Sequence, residues 1–381
     1  MKPFKIMSIF GTRPEAIKMA PIIKELEQQQ DVFESIVVVT GQHREMLEQV
    51  LASFAITPDY NLDIMAEKQT LESITALSLN GLSEIIAKER PHMVLVHGDT
   101  TTSFAGGLAA FYNQVPLGHV EAGLRTHDKY SPFPEEINRG MTGVLADLHF
   151  APTVESAKNL LKENKSASNI FVTGNTAIDA LKTTISDDYT HPLLEQTKHQ
   201  KMILLTCHRR ENLNQAMDQI FAAVNEVTRE REDVAVIFPV HLNPEIREKV
   251  AKHLYANENV HLIGPLETVD FHNIANHADF IMTDSGGVQE EAPSLDVPVL
   301  VLRDNTERPE GVDAGTLKVI GTNKEDIKIW MNRLLDDDIL HKKMSLATNP
   351  YGDGHAATKI LTHIHRYLTE QYKLMYNCIE R

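Results

Sequence analysis

The sequence predicts an α/β protein built from two doubly wound domains that face each other. Short apolar runs alternate with longer amphipathic stretches along the chain, as in parallel sheets whose strands are joined by helices. The apolar runs are continuous, which is typical of strands covered on both faces. The pattern restarts near residue 201, and 381 residues at about 150 per domain also favour two domains.

The first half carries six strand patterns, each beginning or ending near a polar loop. They cover residues 5–10, 35–40, 93–97, 117–120, 148–151 and 170–173. Helical patterns follow at residues 15–28, 44–54, 71–88, 103–113, 136–145 and 154–162. Strands that alternate with helices imply right-handed βαβ units. Ligands of such sheets bind at the carboxyl ends of the strands, so the strand-to-helix loops are the candidate sites.

The second half repeats this organisation. Its strand patterns cover residues 202–206, 234–240, 260–262, 280–283, 299–302 and 317–320. Its helical patterns cover residues 213–231, 244–254, 271–275, 287–295, 324–335, 339–347 and 355–370. Residues 185–200 show no strand pattern, so either this stretch or the turn near Gly174 is the domain boundary.

Composition excludes several classes of function. A net charge of −16, from 37 Lys and Arg against 53 Asp and Glu, argues against binding nucleic acid or an anionic membrane. No apolar run reaches the roughly 20 residues of a spanning helix, and the stretch before Gly11 is too short for a signal peptide. We therefore expect a cytoplasmic protein. With only Cys207 and Cys378 and no His-Glu-x-x-His motif, we expect neither a disulfide framework nor a metal site.

The first strand-to-helix loop carries two basic residues. Arg13 lies beside Pro14, which suits a first helical turn, and Lys18 follows one turn later. Free backbone N–H groups at the same helix start favour an anionic ligand. The structural alternative is a solvated Lys18 and an Arg13 salt bridge. The spacing differs from that of a phosphate-binding P-loop.

Three carboxylates follow the later strands of the first half. Asp99 and Glu121 each come directly after a predicted strand, and Glu135 lies in the helical turn opened by Pro134. The structural alternatives are a helix N-cap for Asp99 and compensation of the helix dipole for Glu135. Clustered carboxylates move one another's pKa values apart, which allows one to act as an acid and another as a base. The three residues therefore favour acid–base chemistry at this edge.

The second half offers an anion site. His208 follows its first strand, within the sequence His-Arg-Arg-Glu-Asn, and the alternative is a loop histidine bonded to a backbone carbonyl. Ser285, Gly286 and Gly287 turn a strand into a helix, where backbone N–H groups suit phosphate oxygens. Glu291, one turn inside, is placed to accept hydrogen bonds from ribose hydroxyls. A plain tight turn is the alternative, and the Gly-x-Gly-x-x-Gly fingerprint of nicotinamide dinucleotide sites is absent.

Eight ordered segments carry a family resemblance over essentially the whole chain. They are FGTRPEAIKMAP, TGQHREML, HGDTTT, HVEAGLRT, PEEINR, HRREN, TDSGGVQEEAP and TERPEG. The chain resembles the non-hydrolysing UDP-N-acetylglucosamine 2-epimerases of bacteria. The resemblance implies the GT-B glycosyltransferase-like fold, with two Rossmann-like domains facing a cleft that holds the active site. It also implies a homodimer that needs no metal or nicotinamide cofactor.

The family's last helix returns to its N-terminal domain. The expected boundaries are therefore residues 1–172 plus 361–381 for the N-terminal domain and 173–360 for the UDP-binding C-terminal domain.

The resemblance also assigns roles to residues. The implied catalytic residues are Asp99, Glu121, Glu135 and His208, the last at the leaving diphosphate. The implied substrate-binding residues are Arg13, Lys18, Phe271 at the uracil, Ser285, Gly286 and Gly287 at the diphosphate, Glu291 at the ribose, and Arg308. A second, allosteric UDP-GlcNAc site in some members matches Gln42, His43, Gln69, Glu135, Arg209 and His241. Glu45 and Lys68 depart from the Gln and Arg of the strongly activated members. A carboxylate facing a diphosphate would repel it, which argues against activation but not against the core chemistry.

The implied reaction interconverts UDP-GlcNAc and UDP-ManNAc and supplies cell-envelope polysaccharides. UDP is eliminated to give 2-acetamidoglucal, which is reprotonated on the opposite face before UDP adds back. The alternatives are the hydrolysing epimerase, a glycosyltransferase of the same fold, and a non-catalytic nucleotide-sugar sensor. A length of 381 residues leaves no room for the kinase domain fused to the eukaryotic hydrolysing enzyme, which favours the non-hydrolysing form.

Overall fold

The computed structural model describes residues 2–41, 44–65, 69–209, 212–213, 215–306 and 308–379. The chain divides into two compact units. Unit 1 consists of Met1–Lys182 and Tyr351–Arg381, and unit 2 consists of Thr183–Pro350.

Unit 1 contains a parallel sheet. Among the described residues, its seven strands are β1 Phe4–Phe10, β2 Phe33–Val39, β3 Tyr60–Asn61, β4 Met93–His97, β5 Leu117–Val120, β6 Leu148–Ala151 and β7 Ile170–Val172. The helices between or after them are α1 Arg13–Gln28, α2 Arg44–Ser53, α3 Leu71–Glu89, α4 Thr101–Tyr112, α5 Glu135–Leu145, α6 Val154–Lys162 and α7 Thr176–Thr184. A short 3-10 helix, Ala167–Asn169, precedes β7.

Unit 2 is built in the same way. The six strands of its described part are β8 Lys201–Thr206, β9 Val234–Pro239, β10 Val260–Ile263, β11 Phe280–Thr283, β12 Val299–Val301 and β13 Leu317–Val319. Its helices are α8 Pro192–Thr197, α9 Gln215–Glu230, α10 Pro244–His253, α11 Thr268–Asn276, α12 Gly286–Glu291, α13 Pro309–Ala314, α14 Lys324–Asp336 and α15 Asp338–Ser345. The 3-10 helix Ala292–Leu295 continues α12.

Strand order reverses once in each sheet, and this reversal positions the site. The order is β3-β2-β1-β4-β5-β6-β7 in unit 1 and β10-β9-β8-β11-β12-β13 in unit 2. Chain connections leave in opposite directions from β1 and β4, and likewise from β8 and β11, so a crevice opens at each switch point. Asp99, His208 and Ser285 lie in the loops after β4, β8 and β11, and Arg13 begins the helix after β1.

The continuous apolar runs serve two cores at once. In β1, Ile6 and Phe10 belong to the core on one face of the sheet, whereas Met7 and Ile9 belong to the core on the other. Because successive side chains of a strand point to opposite faces, a strand between two helical layers must be apolar at almost every position. The predicted α/β fold with two parallel sheets is therefore confirmed.

The boundaries between the units fall at different residues from those predicted. The structure places residues 173–182 and 351–360 in unit 1, whereas the sequence prediction placed them in the C-terminal domain. Asp179 of α7 explains this difference, because its carboxylate accepts hydrogen bonds from the backbone N–H groups of Ala356 (3.2 Å) and Ala357 (2.9 Å). These residues begin the last helix, α16 Ala356–Ile379, whose apolar face packs into the core that also contains α1.

Most predicted elements are confirmed to within two or three residues. Among the described residues, five short elements were not predicted: β3, α7, α8, α13 and the 3-10 helix Ala167–Asn169. The two-residue β3 is too short for periodicity, and α8 lies in the polar stretch 185–200 that shows no apolar repeat. Among the described residues, no helix is both long and apolar enough to cross a lipid bilayer.

Candidate active site

A buried glutamate joins the two loops at the switch point of unit 1. Glu15 is 2% exposed and accepts hydrogen bonds from the backbone N–H groups of Gly11 (3.0 Å) and Thr12 (2.8 Å). It also accepts from the hydroxyls of Thr12 (2.8 Å), Thr100 (2.6 Å) and Ser103 (2.9 Å). Sequence reasoning missed this role, although Thr12 followed three residues later by Glu15 is a capping-box signal.

Gly11 is required by the close approach of these loops. A Cβ atom at this position would lie 2.2 Å from Thr40 Oγ1 and 2.6 Å from Thr102 Oγ1. Those two hydroxyls hydrogen bond to each other at 3.0 Å. A side chain larger than hydrogen would therefore separate the ends of β1, β2 and β4. Arg13 begins α1 directly after this contact and is half-buried.

Asp99 is held by an arginine that the sequence analysis did not single out. Arg139 Nη2 donates a hydrogen bond to Asp99 Oδ2, and Arg139 Nη1 lies 3.5 Å from Glu136 Oε2. The Asp99 side chain is 22% exposed, whereas that of Arg139 is only 8% exposed. The N-cap of α4 is Thr100, which accepts from Ser103 N–H at 3.1 Å, so Asp99 is not the cap.

Glu121 is constrained both by its backbone conformation and by its side-chain partners. Its φ of 59° lies in the left-handed region, which is costly for a residue with a side chain. Lys18 Nζ donates to Glu121 Oε2, and Asn175 Nδ2 donates to the same oxygen at 3.4 Å. His97 Nε2 lies 3.7 Å away. Lys18, predicted to meet an anion, thus meets the Glu121 carboxylate in this structure.

Three buried histidines lie on neighbouring strands of unit 1, with His97 at the end of β4, His119 in β5 and His149 in β6. Burial lowers the pKa of His97 to about 4, that of His119 to about 3 and that of His149 to about 4. His119 Nε2 bonds to the carbonyl oxygen of Gly98 at 2.7 Å, which anchors the loop carrying Asp99. The low pKa values keep all three rings neutral near pH 7, so Lys18 and not His97 supplies positive charge beside Glu121.

Glu135 lies on α5 one helical turn before Arg139. It is half-buried, and no other described residue hydrogen bonds to its carboxylate. Because Arg139 holds Asp99, the helix brings Glu135 to the region of Asp99. Gly98 in turn links Asp99 to Glu121, since a Cβ on Gly98 would lie 3.5 Å from Glu121 Oε1. We call Asp99, Glu121 and Glu135 the carboxylate site.

In unit 2, a buried aspartate anchors the loop after β8. Asp284 is fully buried at the end of β11, and its Oδ2 accepts from the backbone N–H groups of His208 (2.9 Å) and Arg209 (2.8 Å). Asn212 Nδ2 donates to the same oxygen at 3.1 Å and to the carbonyl oxygen of Leu302 at 3.2 Å. This anchor across the switch point was not predicted.

The imidazole of His208 lies over this anchor. Its side chain is 41% exposed, and Nδ1 lies 3.5 Å from Asp284 Oδ1. The ring stacks on His241, with centroids 5.8 Å apart and an interplanar angle of 15°. Burial lowers the pKa of His208, whereas the charge of Asp284 acts in the opposite direction. The alternative of a histidine bonded to a backbone carbonyl is not what the structure shows.

Two arginines flank the Ser-Gly-Gly turn. A Cβ on Gly286 would lie 3.5 Å from Arg308 Nη2 and 3.6 Å from Arg209 Nη2. Arg308 Nε donates to Glu290 Oε1, and the Glu290 side chain is only 3% exposed. Glu290 therefore fixes Arg308 beside the turn, a role that sequence reasoning missed. We call His208, Arg209 and Arg308 the basic cluster.

Phe271 lies on α11, and Glu291 lies beside this helix. Glu291 Oε2 is 3.6 Å from His272 Nε2, and His272 Nδ1 is 2.7 Å from Thr184 Oγ1. A Cβ on Gly287 would lie 3.9 Å from Glu291 Oε1, so this carboxylate stays close to the turn. Phe271 is half-buried against the unit 2 core, and its ring centroid is 6.2 Å from that of His272.

The predicted allosteric residues are described only in part. Gln42, His43 and Lys68 lie outside the described residues, as does the side chain of Glu45. Gln69 Nε2 donates to the carbonyl oxygen of Ile64, and His241 is exposed and stacks on His208. Arg209 lies beside Gly286, so it is shared with the predicted diphosphate turn.

The described residues contain no group of three His, Cys, Asp or Glu side chains placed to hold a metal ion. What they do contain is an acid–base set in unit 1 and an anion-binding set in unit 2. The first suits proton transfer at carbon and the second suits a phosphate or diphosphate.

Comparison with known proteins identifies the family. A family model for UDP-N-acetylglucosamine 2-epimerase matches residues 24–365 of the chain. A curated Bacillus subtilis (strain 168) protein of that name is 61% identical over 361 residues, which cover 95% of this chain and 95% of that protein.

Solved structures agree in fold. A co-structure of S. aureus MnaA with UDP has a TM-score of 0.88 and 55% identity, covering 96% of this chain and 97% of that one. The UDP-GlcNAc 2-epimerase of Neisseria meningitidis, bound to UDP-GlcNAc, has a TM-score of 0.86 and 44% identity, covering 95% and 100%. The predicted two-domain α/β fold of the GT-B-like epimerases is thereby confirmed. The chain belongs to the UDP-N-acetylglucosamine 2-epimerase family.

Proposed function

We propose that this protein is a non-hydrolysing epimerase that interconverts UDP-GlcNAc and UDP-ManNAc. UDP leaves from C1 as the C2 proton is removed, which gives bound 2-acetamidoglucal. A proton then returns to C2 on the opposite face, and UDP adds back at C1. Elimination avoids a free carbanion at C2, whose proton is not acidic in the intact substrate.

The basic cluster of unit 2 supports the first half of this proposal. Two guanidinium groups lie within about 4 Å of the position of a Gly286 Cβ, and His208 lies in the neighbouring loop. Positive charge aimed at a leaving diphosphate stabilises the charge that develops as the C1–O bond breaks. In the proposal, the Ser285–Gly287 turn meets the diphosphate, Glu291 the ribose and Phe271 the uracil.

The carboxylate site of unit 1 supports the second half, and it is the observation that carries the proposal. Inversion at C2 requires an acid and a base on opposite faces of the sugar, which one carboxylate cannot supply. Asp99, Glu121 and Glu135 lie on neighbouring segments, and the first two are held by Arg139 and Lys18. A protein that only senses a nucleotide sugar has no need of such a set.

The decisive experiment is NMR of UDP-GlcNAc with the full chain in D2O. We expect UDP-ManNAc to appear with deuterium at C2, up to an equilibrium mixture. Epimerisation without deuterium at C2 would contradict elimination and re-addition.

A hydrolysing epimerase is the second candidate, and the same samples separate the two. Hydrolysis would release free ManNAc and UDP continuously instead of reaching equilibrium. The family description does not distinguish the two reactions, so product analysis is the measurement that decides.

We also propose that the protein is a homodimer formed through unit 1. Ile137, Met141 and Val144 form a stripe along α5 and are 44%, 36% and 73% exposed, beside Phe111 and Tyr112 at the end of α4 (59% and 62%). An exposed apolar patch on packed helices is typical of an interface with a second copy. Val144→Glu should give a monomer in light scattering, whereas Glu163→Gln, on the same unit, should not.

Use of the product for cell-envelope polysaccharide, cytoplasmic location and activation by a second UDP-GlcNAc stay predictions. Activation predicts a sigmoidal dependence of rate on UDP-GlcNAc that Arg209→Ala makes hyperbolic.

A further inference from the structure

Asp284 has one carboxylate oxygen whose role the loop anchor does not explain. Its Oδ2 accepts all three hydrogen bonds from His208 N–H, Arg209 N–H and Asn212. Its Oδ1 is buried and accepts no hydrogen bond from any described residue. A buried, unsatisfied carboxylate oxygen is unusual and calls for a specific partner.

One candidate partner is the imidazole of His208, whose Nδ1 lies 3.5 Å from Asp284 Oδ1. The buried thiol of Cys207 also interacts with Asp284, but it is a weak donor. A small rotation of the imidazole ring about its side-chain bonds would bring Nδ1 and Oδ1 to hydrogen-bond distance, about 2.8 Å for a charged pair. The other ring nitrogen, Nε2, has no hydrogen bond to any described residue. The ring thus has one nitrogen facing a buried anion and one available for a ligand.

The surrounding charges show why this anion matters. Three groups face His208: Asp284 at the end of β11, His241 in the loop after β9, and Arg209 in the same loop as His208. Burial, His241 and Arg209 all lower the pKa of His208, so Asp284 is the group that favours its protonated form. The neighbouring Cys207 adds no negative charge, because burial and Asp284 raise its pKa well above the usual value.

We propose that Asp284 is a positioning residue that accepts the Nδ1 proton of His208, so that a charged imidazole presents Nε2–H to the substrate diphosphate. The inference rests on the proposed function, in which His208 meets that diphosphate. A carboxylate on one side and a diphosphate on the other would stabilise the imidazolium between them. The charge would then be in place when UDP departs.

Asp284→Asn tests the inference in the full chain. The amide can still accept the backbone N–H bonds of the loop, but it cannot stabilise a charged ring. We expect kcat to fall about tenfold to hundredfold, with KM for UDP-GlcNAc changed by less than about threefold. We expect the alkaline limb of the kcat–pH profile to move down by at least about one pH unit, because the removed anion had raised the pKa of His208.

The matched control is Asn212→Ala. Asn212 bonds to the same carboxylate through Oδ2, so its loss loosens the loop without altering the charge beside His208. We expect lower thermal stability and an unchanged alkaline limb. An unchanged limb in Asp284→Asn, or an equal shift in Asn212→Ala, would overturn the inference.

His208→Asn separates this inference from the proposed function. Near-normal turnover of His208→Asn would remove His208 from the reaction and overturn the inference, but it would leave the proposed activity standing. Failure of the unaltered chain to form UDP-ManNAc would overturn the proposed function. An inactive His208→Asn together with an unshifted Asp284→Asn would overturn only the inference about Asp284.

The unaltered chain provides a measurement that does not depend on the folding of a variant. With saturating UDP at pH 7, ¹⁵N NMR of the histidine rings should show His208 protonated on both nitrogens. His208→Asn assigns the signal by its disappearance. A neutral His208 ring under these conditions would overturn the inference.

Discussion

The functional groups of the two units are held by opposite charges. In unit 1 the acids Asp99 and Glu121 are held by the bases Arg139 and Lys18. In unit 2 the bases His208 and Arg308 lie beside the acids Asp284 and Glu290.

The degree of burial adds to this contrast. The tethering acids of unit 2 are 0% and 3% exposed, whereas the His208 side chain is 41% exposed. In unit 1 Asp99 is likewise more exposed than Arg139, but Glu121 is more buried than Lys18. A buried counterion fixes its partner without competing for the ligand, because the partner keeps the exposed position. Lys18 is the exception, and it is therefore placed both to hold Glu121 and to meet an anion.

The largest expected effect concerns the acids of unit 1. Asp99→Asn or Glu121→Gln should lower kcat by a factor of about 1,000 or more, because each removes an acid–base group. UDP affinity, measured by calorimetry, should change little, since the basic cluster that is proposed to hold the diphosphate lies in unit 2.

Glu89→Gln is the matched control, because Glu89 forms a comparable ion pair with Lys5 at the opposite end of β1. Near-normal turnover in both Asp99→Asn and Glu121→Gln would remove the carboxylate site from the mechanism. The two units would then not differ in function as proposed.

The second prediction uses the histidines of unit 1. The pKa values of His97, His119 and His149 are about 4, 3 and 4 in the folded chain, against about 6.5 when unfolded. Between pH 4 and pH 6.5 the unfolded chain binds more protons at these histidines than the folded chain does. Their contribution to the free energy of unfolding is therefore complete above pH 6.5 and is lost as the pH drops towards 4. Each histidine should contribute a few kcal/mol to this loss, because every tenfold difference in proton affinity between the folded and unfolded chain is worth about 1.4 kcal/mol.

Trp330, the single tryptophan, reports on unit 2 alone, whereas circular dichroism reports on both units. On acidification, helical signal should be lost at a higher pH than the Trp330 fluorescence changes. Coincident transitions would show that the buried histidines do not distinguish the units.

The third prediction concerns Glu15. Glu15→Gln replaces an acceptor of five hydrogen bonds with a group that must turn an N–H₂ toward donors. We expect a loss of about 2 kcal/mol in unfolding free energy, measured by urea denaturation. Glu72→Gln, also in a first helical turn but exposed, should change stability far less. Equal effects would show that the loop anchor is not specific to the buried residue.

The smallest expected effect concerns Glu290 in unit 2. Glu290→Gln should release Arg308 from its fixed position and weaken UDP binding about tenfold, or about 1.4 kcal/mol. Calorimetry measures this, with Glu195→Gln as an exposed ion-pair control. Unchanged affinity would mean that Arg308 needs no tether, so the comparison between the units would hold only for His208.

Much of the site was predictable because a parallel sheet collects loops at one edge. Arg13, Asp99, Glu121, His208 and Ser285 were each chosen for following a strand, and the structure places them there. Their partners were not predictable. Arg139 lies 40 residues from Asp99 and Asp284 lies 76 from His208, and no local pattern records such separations.

The sequence by itself determined the alternation of strands and helices, the two sheets and the strand-end positions of the candidate residues. These follow from periodicity and from the chemistry of single residues, which are local properties. Only the tertiary structure decided the strand order, the boundary after Lys182 and the ion pairs that hold each functional group. These features depend on which distant segments of the chain pack together. A buried charge, for example, is stable only beside a partner that the fold brings to it.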